Sequence, residues 1–345
     1  MYLLVTVPGV EDVVVKELRE CFGCDAVAKP FGTFGRVLLS SYVPLYSLRC
    51  LRSIERIVRL LTYHVFDYTP KLSDVMRVVE CVDFSKYITP YVTFAVRVLR
   101  EGSHDFTSVD VAREVGRVIQ EQIRRCRGVS PVVSLEGPDV EVEVQIINRV
   151  VFVGLDITGP KALHSRPYRV YFHPAALNPI LAYSMIVIAG VDRGSRVLDP
   201  FCGSATILIE GALARRCMCI GSDISLRHIR GAIMNVEKAG VLELIDFLHS
   251  DIAYLGDKLR SEVFDFVITN PPYGIREVPE TKLPDLYGEL FRLCKHVLRR
   301  GGVLCLISPR RRLVHVMVER FRAELVHERE VLQGGMRSSI YVIKF

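Results

Sequence analysis

Asn270-Pro271-Pro272-Tyr273, followed by Gly274, brings together residue types that can hold a planar amino group. The stretch follows an apolar run, 264–269, that reads as a short buried strand. Proline has no N–H to donate to a ladder, so the chain must leave the sheet there. The Asn270 side chain and the proline carbonyls then stand at the strand's carboxyl end, where open α/β sheets bind ligands. Acceptor oxygens beside a flat ring suit an amino group and the base that carries it. The oxygens take the amino hydrogens and the Tyr273 ring stacks on the base, a role in which the Tyr273 hydroxyl is not required. Asn270, Pro271, Pro272 and Tyr273 are therefore the candidate catalytic group. By themselves these residues also make an ordinary proline-rich turn, and the upstream sequence decides between the two readings.

Upstream, Asp199-Pro200-Phe201-Cys202-Gly203-Ser204-Ala205-Thr206 lies between a predicted strand, 196–198, and a predicted helix, 204–216. A turn of small residues lets a ligand approach the backbone, and the helix N-terminus presents free N–H groups. The pattern is not G-x-G-x-x-G, and its leading carboxylate would repel a pyrophosphate. Asp199 instead suits a cationic amine, such as the α-amino group of methionine. Asp223 ends the next strand, 218–222, roughly 20–25 residues after the turn, where a carboxylate takes both ribose hydroxyls. Asp251 ends the third strand, 245–249, where it can accept from an adenine amino group. Each carboxylate alone is an ordinary helix N-cap. Four such strand ends in order, with Asn270 the last, point to S-adenosyl-L-methionine. The candidate cofactor residues are His173, Pro174, Ala175, Asp199, Pro200, Cys202, Gly203, Ser204, Ala205, Thr206, Asp223, Ile224, Asp251, Ile252 and Asn270.

These residues need a scaffold, and residues 190–345 alternate strand and helix as a doubly wound parallel sheet does. Further helices are predicted over 226–239, 284–299 and 311–322, and a further strand over 303–307. The segments 325–332 and 338–345 read as a terminal antiparallel hairpin around Gly334-Gly335. The first 160 residues read as smaller α+β units. Strands are predicted over 2–7, 91–98, 140–147 and 151–157, a hairpin over 27–39, and helices over 12–21, 42–51 and 108–127. The last of these ends in Arg124, Arg125 and Arg127, which offset the helix dipole or contact phosphate. Residues 158–170, with Gly, Pro and several basic residues, read as an exposed linker. A helix opened by the 173–179 stretch follows and runs to 188.

At 345 residues the chain has room for two or three domains, and half its residues are hydrophobic, as in a globular protein. No apolar run reaches the ~18–20 residues that span a bilayer. The net charge is +6, and all of the excess lies beyond residue 164. That modest basic balance fits a polyanion without requiring one. Ten cysteines include one C-x-x-C, Cys21–Cys24, with no second pair to complete a zinc site. They read as scattered core thiols, and no metal is expected.

On these motifs residues 165–345 resemble class I methyltransferases of the N-P-P-Y type, which methylate exocyclic amino nitrogens of bases or glutamine. The whole chain resembles THUMP-containing tRNA guanine-N2 methyltransferases, in particular archaeal and bacterial enzymes acting on guanosine six of tRNA. The resemblance rests on Pro8-Gly9-Val10-Glu11-Asp12, His164-Ser165-Arg166-Pro167-Tyr168-Arg169, His173 to Leu177, Asp199 to Gly203, and Asn270 to Arg276. It implies a ferredoxin-like domain over 1–60 and a THUMP domain over 61–160 that grips the tRNA acceptor end. A linker and first helix over 161–189 and a Rossmann-like methyltransferase domain over 190–345 follow. Arg276, Arg310, Arg311 and Arg312 lie near strand ends on the same rim and could hold phosphates, and Arg166 and Arg169 in the linker are further RNA-binding candidates, although Arg310 to Arg312 equally suit a solvated helix start. The family usually has glycine where this chain has Ala205, and a positive φ there would strain alanine. Enzymes acting on guanosine ten usually have Asp in place of Asn270, which favours position six. Guanosine ten, a ribosomal RNA guanine and a non-catalytic RNA-binding relic are the alternatives. A cytoplasmic monomer that acts on tRNA, away from membranes, is expected.

Overall fold

A computed structural model of the protein describes residues 1–173, 176–274 and 279–345. The chain groups into two compact units, Met1–Thr6 with Val14–Leu163, and Val7–Val13 with His164–Phe345.

The first unit is built on one eight-stranded sheet. Its strands are β1 (Tyr2–Val5), β2 (Val27–Ala28), β3 (Arg36–Leu39), β4 (Arg56–Val65), β5 (Thr93–Glu101), β6 (Val132–Val133), β7 (Val140–Ile147) and β8 (Val150–Asp156), in the order β2-β3-β1-β4-β8-β7-β5-β6. Its helices are α1 (Glu11–Phe22, whose first residues group with the second unit), the single turn α2 (Leu45–Leu48), α3 (Leu72–Glu80) and α4 (Ser108–Arg127). Helix α4 shows why such sequences fold locally. Thr107 and Asp110 form a capping box at its start, and Gly128 in the left-handed region ends it. Val111, Val115, Val118, Ile119 and Ile123 recur on one face and are buried. Arg125 pairs with Glu121 one turn earlier.

Three elements of this unit, β4, β6 and α3, escaped the sequence pattern. Strand β4 carries a register shift between Leu60 and Thr62 that breaks its alternation, and α3 is short. Strand β4 also runs through residue 60, so the division expected there falls inside a strand. The helix expected over 42–51 is a single turn.

The second unit is a seven-stranded sheet in the order β11-β10-β9-β12-β13-β15-β14. Its strands are β9 (Arg196–Asp199), β10 (Met218–Asp223), β11 (Ile245–His249), β12 (Phe264–Thr269), β13 (Leu298–Ser308), β14 (Glu324–Gln333) and β15 (Met336–Lys344). The first five are parallel, and β15 and β14 add an antiparallel hairpin at the edge. Helices α5 (Pro179–Ile188), α6 (Thr206–Arg215), α7 (Leu226–Ala239), α8 (Ile252–Lys258), α9 (Leu283–Val297) and α10 (Arg311–Phe321) cover it. The doubly wound sheet with its terminal hairpin is as the alternation predicts. Helix α5, capped by Asn178 with Pro179 in its first turn, is buried along nearly its whole length.

The segment expected as an exposed linker is packed instead. Tyr168 is buried, and its hydroxyl donates to Glu210 at 2.7 Å, while Arg166 donates to the same carboxylate at 3.0 Å. The Asn235 side chain accepts from the amides of Val170 and Tyr171 and donates to the carbonyls of Tyr171 and Ser204. A side chain on Gly231 would meet the Tyr171 ring at 2.2 Å, so only glycine fits there. Cys202, Cys217, Cys219, Cys294 and Cys305 are buried, whereas Cys21, Cys50, Cys81 and Cys126 are exposed. No helix among the described residues is long and apolar enough to cross a membrane.

Candidate active site

Sheet order gathers the candidate residues. Strands β11, β10, β9 and β12 are adjacent and parallel, so Asp251, Asp223, Asp199 and Asn270 follow one another along the carboxyl edge. Loop hydrogen bonds tie these ends together. The Cys202 amide donates to the Ser222 carbonyl at 2.9 Å, and the Ser250 amide donates to the Asp223 carbonyl at 3.2 Å.

Asp199 is buried and accepts from the Thr269 hydroxyl at 2.6 Å and from the Phe201 amide at 3.1 Å. Burial pushes its carboxyl up to about 7, against which these two hydrogen bonds act, and the nearby Asp223 charge adds to the rise. In the turn that follows, Pro200, Cys202, Ser204, Ala205 and Thr206 are buried, so this turn offers a ligand its backbone more than its side chains. Burial first, then the charges of Asp199 and Asp223, pushes the Cys202 thiol up, so it stays protonated. Ala205 adopts φ 61°, ψ 24° at the start of α6, and no side chain caps that helix. The substitution for glycine therefore sits where alanine is strained by about 1–2 kcal/mol.

The Asp223 carboxylate accepts from the amides of Gly203 at 3.1 Å and Ser225 at 2.8 Å, and His228 Nδ1 lies 3.1 Å from it. His173 meets the His228 ring edge-on, with centroids 4.2 Å apart. Asp251 caps α8 through the Ala253 amide at 3.0 Å, with Ile252 buried behind it. Ile224 is 66% exposed beside Asp223, an apolar surface at the edge of the row. Pro174, Ala175 and Arg276 lie outside the described residues.

The N-P-P-Y segment leaves β12 as expected. Pro271 is buried, and Asn270, Pro272 and Tyr273 are partly exposed. The Tyr273 hydroxyl, expected to be dispensable, is hydrogen-bonded to the side chains of Asn270 and of Gln333. Arg310 Nε donates to the Tyr273 carbonyl at 2.9 Å, and its Nη1 pairs with Glu280 at 2.6 Å. Ser308, at the end of β13, accepts from the Arg310 amide at 3.0 Å and touches the Tyr287 hydroxyl at 2.9 Å. Arg310 therefore clasps the loop. The Arg166 side chain is 10% exposed and paired with fully buried Glu210. Arg169 stacks over Phe172 at 5.5 Å, Arg311 pairs with Glu328 at 2.7 Å, and Arg312 is exposed. Thr269, His228, Asn235, Glu210 and Gln333 carry no motif of their own. Of these, only Thr269 had a local signal, its position beside Asn270.

The donor set fits S-adenosylmethionine. Two partly exposed carboxylates and one buried carboxylate with a raised pKa line one edge beside an uncapped helix N-terminus. Among the described residues, no group of three or more acidic, histidine or cysteine side chains is placed to hold a metal ion.

The chain is similar to known proteins over nearly its whole length. Residues 166–339 match the RMKL-like methyltransferase domain family, and residues 71–156 match the THUMP domain. The chain is 34% identical to a tRNA (guanine(6)-N2)-methyltransferase of Archaeoglobus fulgidus, over 97% of this chain and 90% of that protein. It is 29% identical to the enzyme of the same name from Methanocaldococcus jannaschii, over 99% of each. The crystal structure of TrmN from Thermus thermophilus superposes with a TM-score of 0.81 at 27% identity, covering 99% of this chain and 98% of that one.

Proposed function

This chain belongs to the THUMP-containing tRNA guanine-N2 methyltransferases, and we propose that within that family it methylates the exocyclic N2 of guanosine six in the tRNA acceptor stem. The observation that carries the reading is the row Asp251, Asp223, Asp199, Asn270 along one sheet edge, ending in an Asn-Pro-Pro-Tyr loop. Position six is supported by Asn270 in place of Asp and by relatives with that activity that match along almost the full chain.

Asp223 takes the ribose hydroxyls, Asp251 the adenine amino group and Asp199 the amino acid's ammonium, with His173 and Gly203 beside the turn. Bound S-adenosylmethionine supplies a methyl group made electrophilic by its sulfonium. A guanine amino nitrogen is a poor nucleophile because its lone pair is conjugated into the ring. The Asn270 side-chain oxygen and the Pro271 carbonyl accept its two hydrogens and aim the lone pair. The same oxygens stabilise the positive charge that develops on nitrogen, so catalysis is positioning plus electrostatics. The extra proton leaves to solvent afterwards, without a strong base. Tyr273 stacks on the base, which must first be flipped out at a cost of a few kcal/mol. Residues 1–160, the ferredoxin-like and THUMP regions, grip the acceptor end.

The test uses an unmodified tRNA transcript incubated with the protein and S-adenosylmethionine, followed by nuclease mapping with mass spectrometry. N2-methylguanosine appears at position six, and a transcript with adenosine at six takes up no methyl. Methylation at guanosine ten, or of a ribosomal RNA and not of tRNA, overturns the reading.

Asp199 adds a pH dependence. Its folded-state value of about 7 lies above the ordinary 3.8, so between these values the folded protein holds the proton more tightly than the unfolded chain. Its contribution to stability is therefore greatest below about pH 4 and declines as pH rises through about 7. Binding an ammonium group requires the carboxylate. Calorimetric affinity for S-adenosylmethionine is expected to rise with pH below 7, by up to about tenfold per unit, and to level off above it. Asp199→Asn binds weakly and loses this dependence. A wild-type affinity that stays flat between pH 5.5 and 7.5 removes Asp199 from the ammonium site.

A further inference from the structure

The Tyr273 hydroxyl meets two side-chain amides at once. One belongs to Asn270, three residues earlier, and the other to Gln333, whose Oε1 is 3.0 Å away. Both amides present an oxygen to the phenol, yet a phenol has one hydrogen to donate. Amide oxygen and nitrogen are distinguished by their hydrogen-bond network, so one of the two amides must turn its NH2 toward the phenol. With the phenol donating to Gln333 Oε1, Asn270 turns its NH2 to the phenol oxygen and keeps Oδ1 for another donor, and a continuous chain of hydrogen bonds runs from Gln333 through Tyr273 to Asn270. Burial pushes the Tyr273 phenol up, so the phenol keeps its proton at any working pH.

Gln333 is well placed to be the fixed end of that chain. It is the last residue of β14 and pairs with Met336 across the hairpin turn. Gly334 and Gly335 make that turn with φ 54° and 82°, a conformation suited to glycine. Strand β15 pairs with β13 on its other side, so the hairpin is anchored in the sheet. The N-P-P-Y segment is held independently by Arg310 at the Tyr273 carbonyl. Backbone and hydroxyl of Tyr273 are thus fixed from two elements distant in sequence.

We propose that Gln333 is a positioning residue for methyl transfer: it holds the Tyr273 hydroxyl, which sets the plane and flip of the Asn270 amide so that oxygen faces the substrate amino group. An amide turned the other way would present NH2 to NH2, two donors with no acceptor between them. The proposal rests on the reading of Asn270 as the acceptor for that amino group.

A double-mutant cycle on the full-length protein tests it, with the single-turnover rate of tRNA methylation and the affinities for S-adenosylmethionine and tRNA measured separately. Gln333→Leu is expected to slow methyl transfer by about tenfold while both affinities stay within about twofold. Tyr273→Phe keeps the ring and slows transfer to a similar degree. The Gln333→Leu/Tyr273→Phe pair is no slower than Tyr273→Phe alone, because the chain is already cut. A Gln333→Leu rate within about twofold of wild type, or losses that multiply in the pair, overturns the proposal. A loss of cofactor affinity matching the loss of rate also overturns it, since that is the mark of a hairpin that has merely come loose. Full activity in Asn270→Ala would remove the reading of Asn270 and this proposal with it. A slow Asn270→Ala beside an unaffected Gln333→Leu removes the proposal alone.

Discussion

Asn270→Ala lowers the single-turnover rate of tRNA methylation by roughly 10²-fold or more, with affinities for S-adenosylmethionine and tRNA nearly unchanged. The expectation follows from where the acceptor stands. Pro271 is buried, Arg310 holds the Tyr273 carbonyl, and Gln333 holds the Tyr273 hydroxyl, so the loop keeps its course when the Asn270 side chain is removed. What is lost is one oxygen that matters most when charge develops on the amino nitrogen, and such a group acts on rate more than on binding. The Pro271 carbonyl remains and accounts for residual activity. Asn270→Asp, the residue usual in enzymes acting on guanosine ten, keeps an acceptor and is expected to retain more activity than the alanine variant. Wild-type turnover in Asn270→Ala would mean that the amino group is held elsewhere.

Asp223→Ala weakens S-adenosylmethionine binding by more than about tenfold, because charge-assisted hydrogen bonds to the ribose are lost. The same carboxylate also receives the amides of Gly203 and Ser225, so alanine could loosen the turns around it. Asp223→Asn separates the two effects. It keeps an oxygen for the turn amides while losing the charge and one acceptor, so its affinity falls between wild type and alanine. Calorimetry on both variants, with thermal melting as a check of folding, reads the result. An unchanged affinity in a folded Asp223→Ala protein would take the ribose out of this site.

The parts of this molecule that rest on local chemistry were legible from residues alone. Strands β9, β10 and β12 are short runs that end at or just before Asp199, Asp223 and Asn270, so the strand–helix alternation and the row of strand-end side chains could be written down in advance, although helix α8 was not. The N-P-P-Y segment leaves the sheet because prolines cannot pair, wherever it is placed. The strain at Ala205 was also foreseeable as a consequence of a turn that wants glycine, and φ 61° realises it.

Partnerships between distant residues were not legible. Nothing in the sequence pairs Arg166 with Glu210, on the buried face of α6. The stretch around residue 168 had the composition of a linker, yet Asn235 and Glu210 bind it down. Residues Val7–Val13 pack with the second unit although their neighbours belong to the first. Thr269 on Asp199, and Gln333 on Tyr273 from 60 residues away, leave no spacing pattern in the chain. A hydrogen bond between side chains far apart in sequence needs only that the fold bring two atoms within about 3 Å, and no propensity, period or motif records that distance.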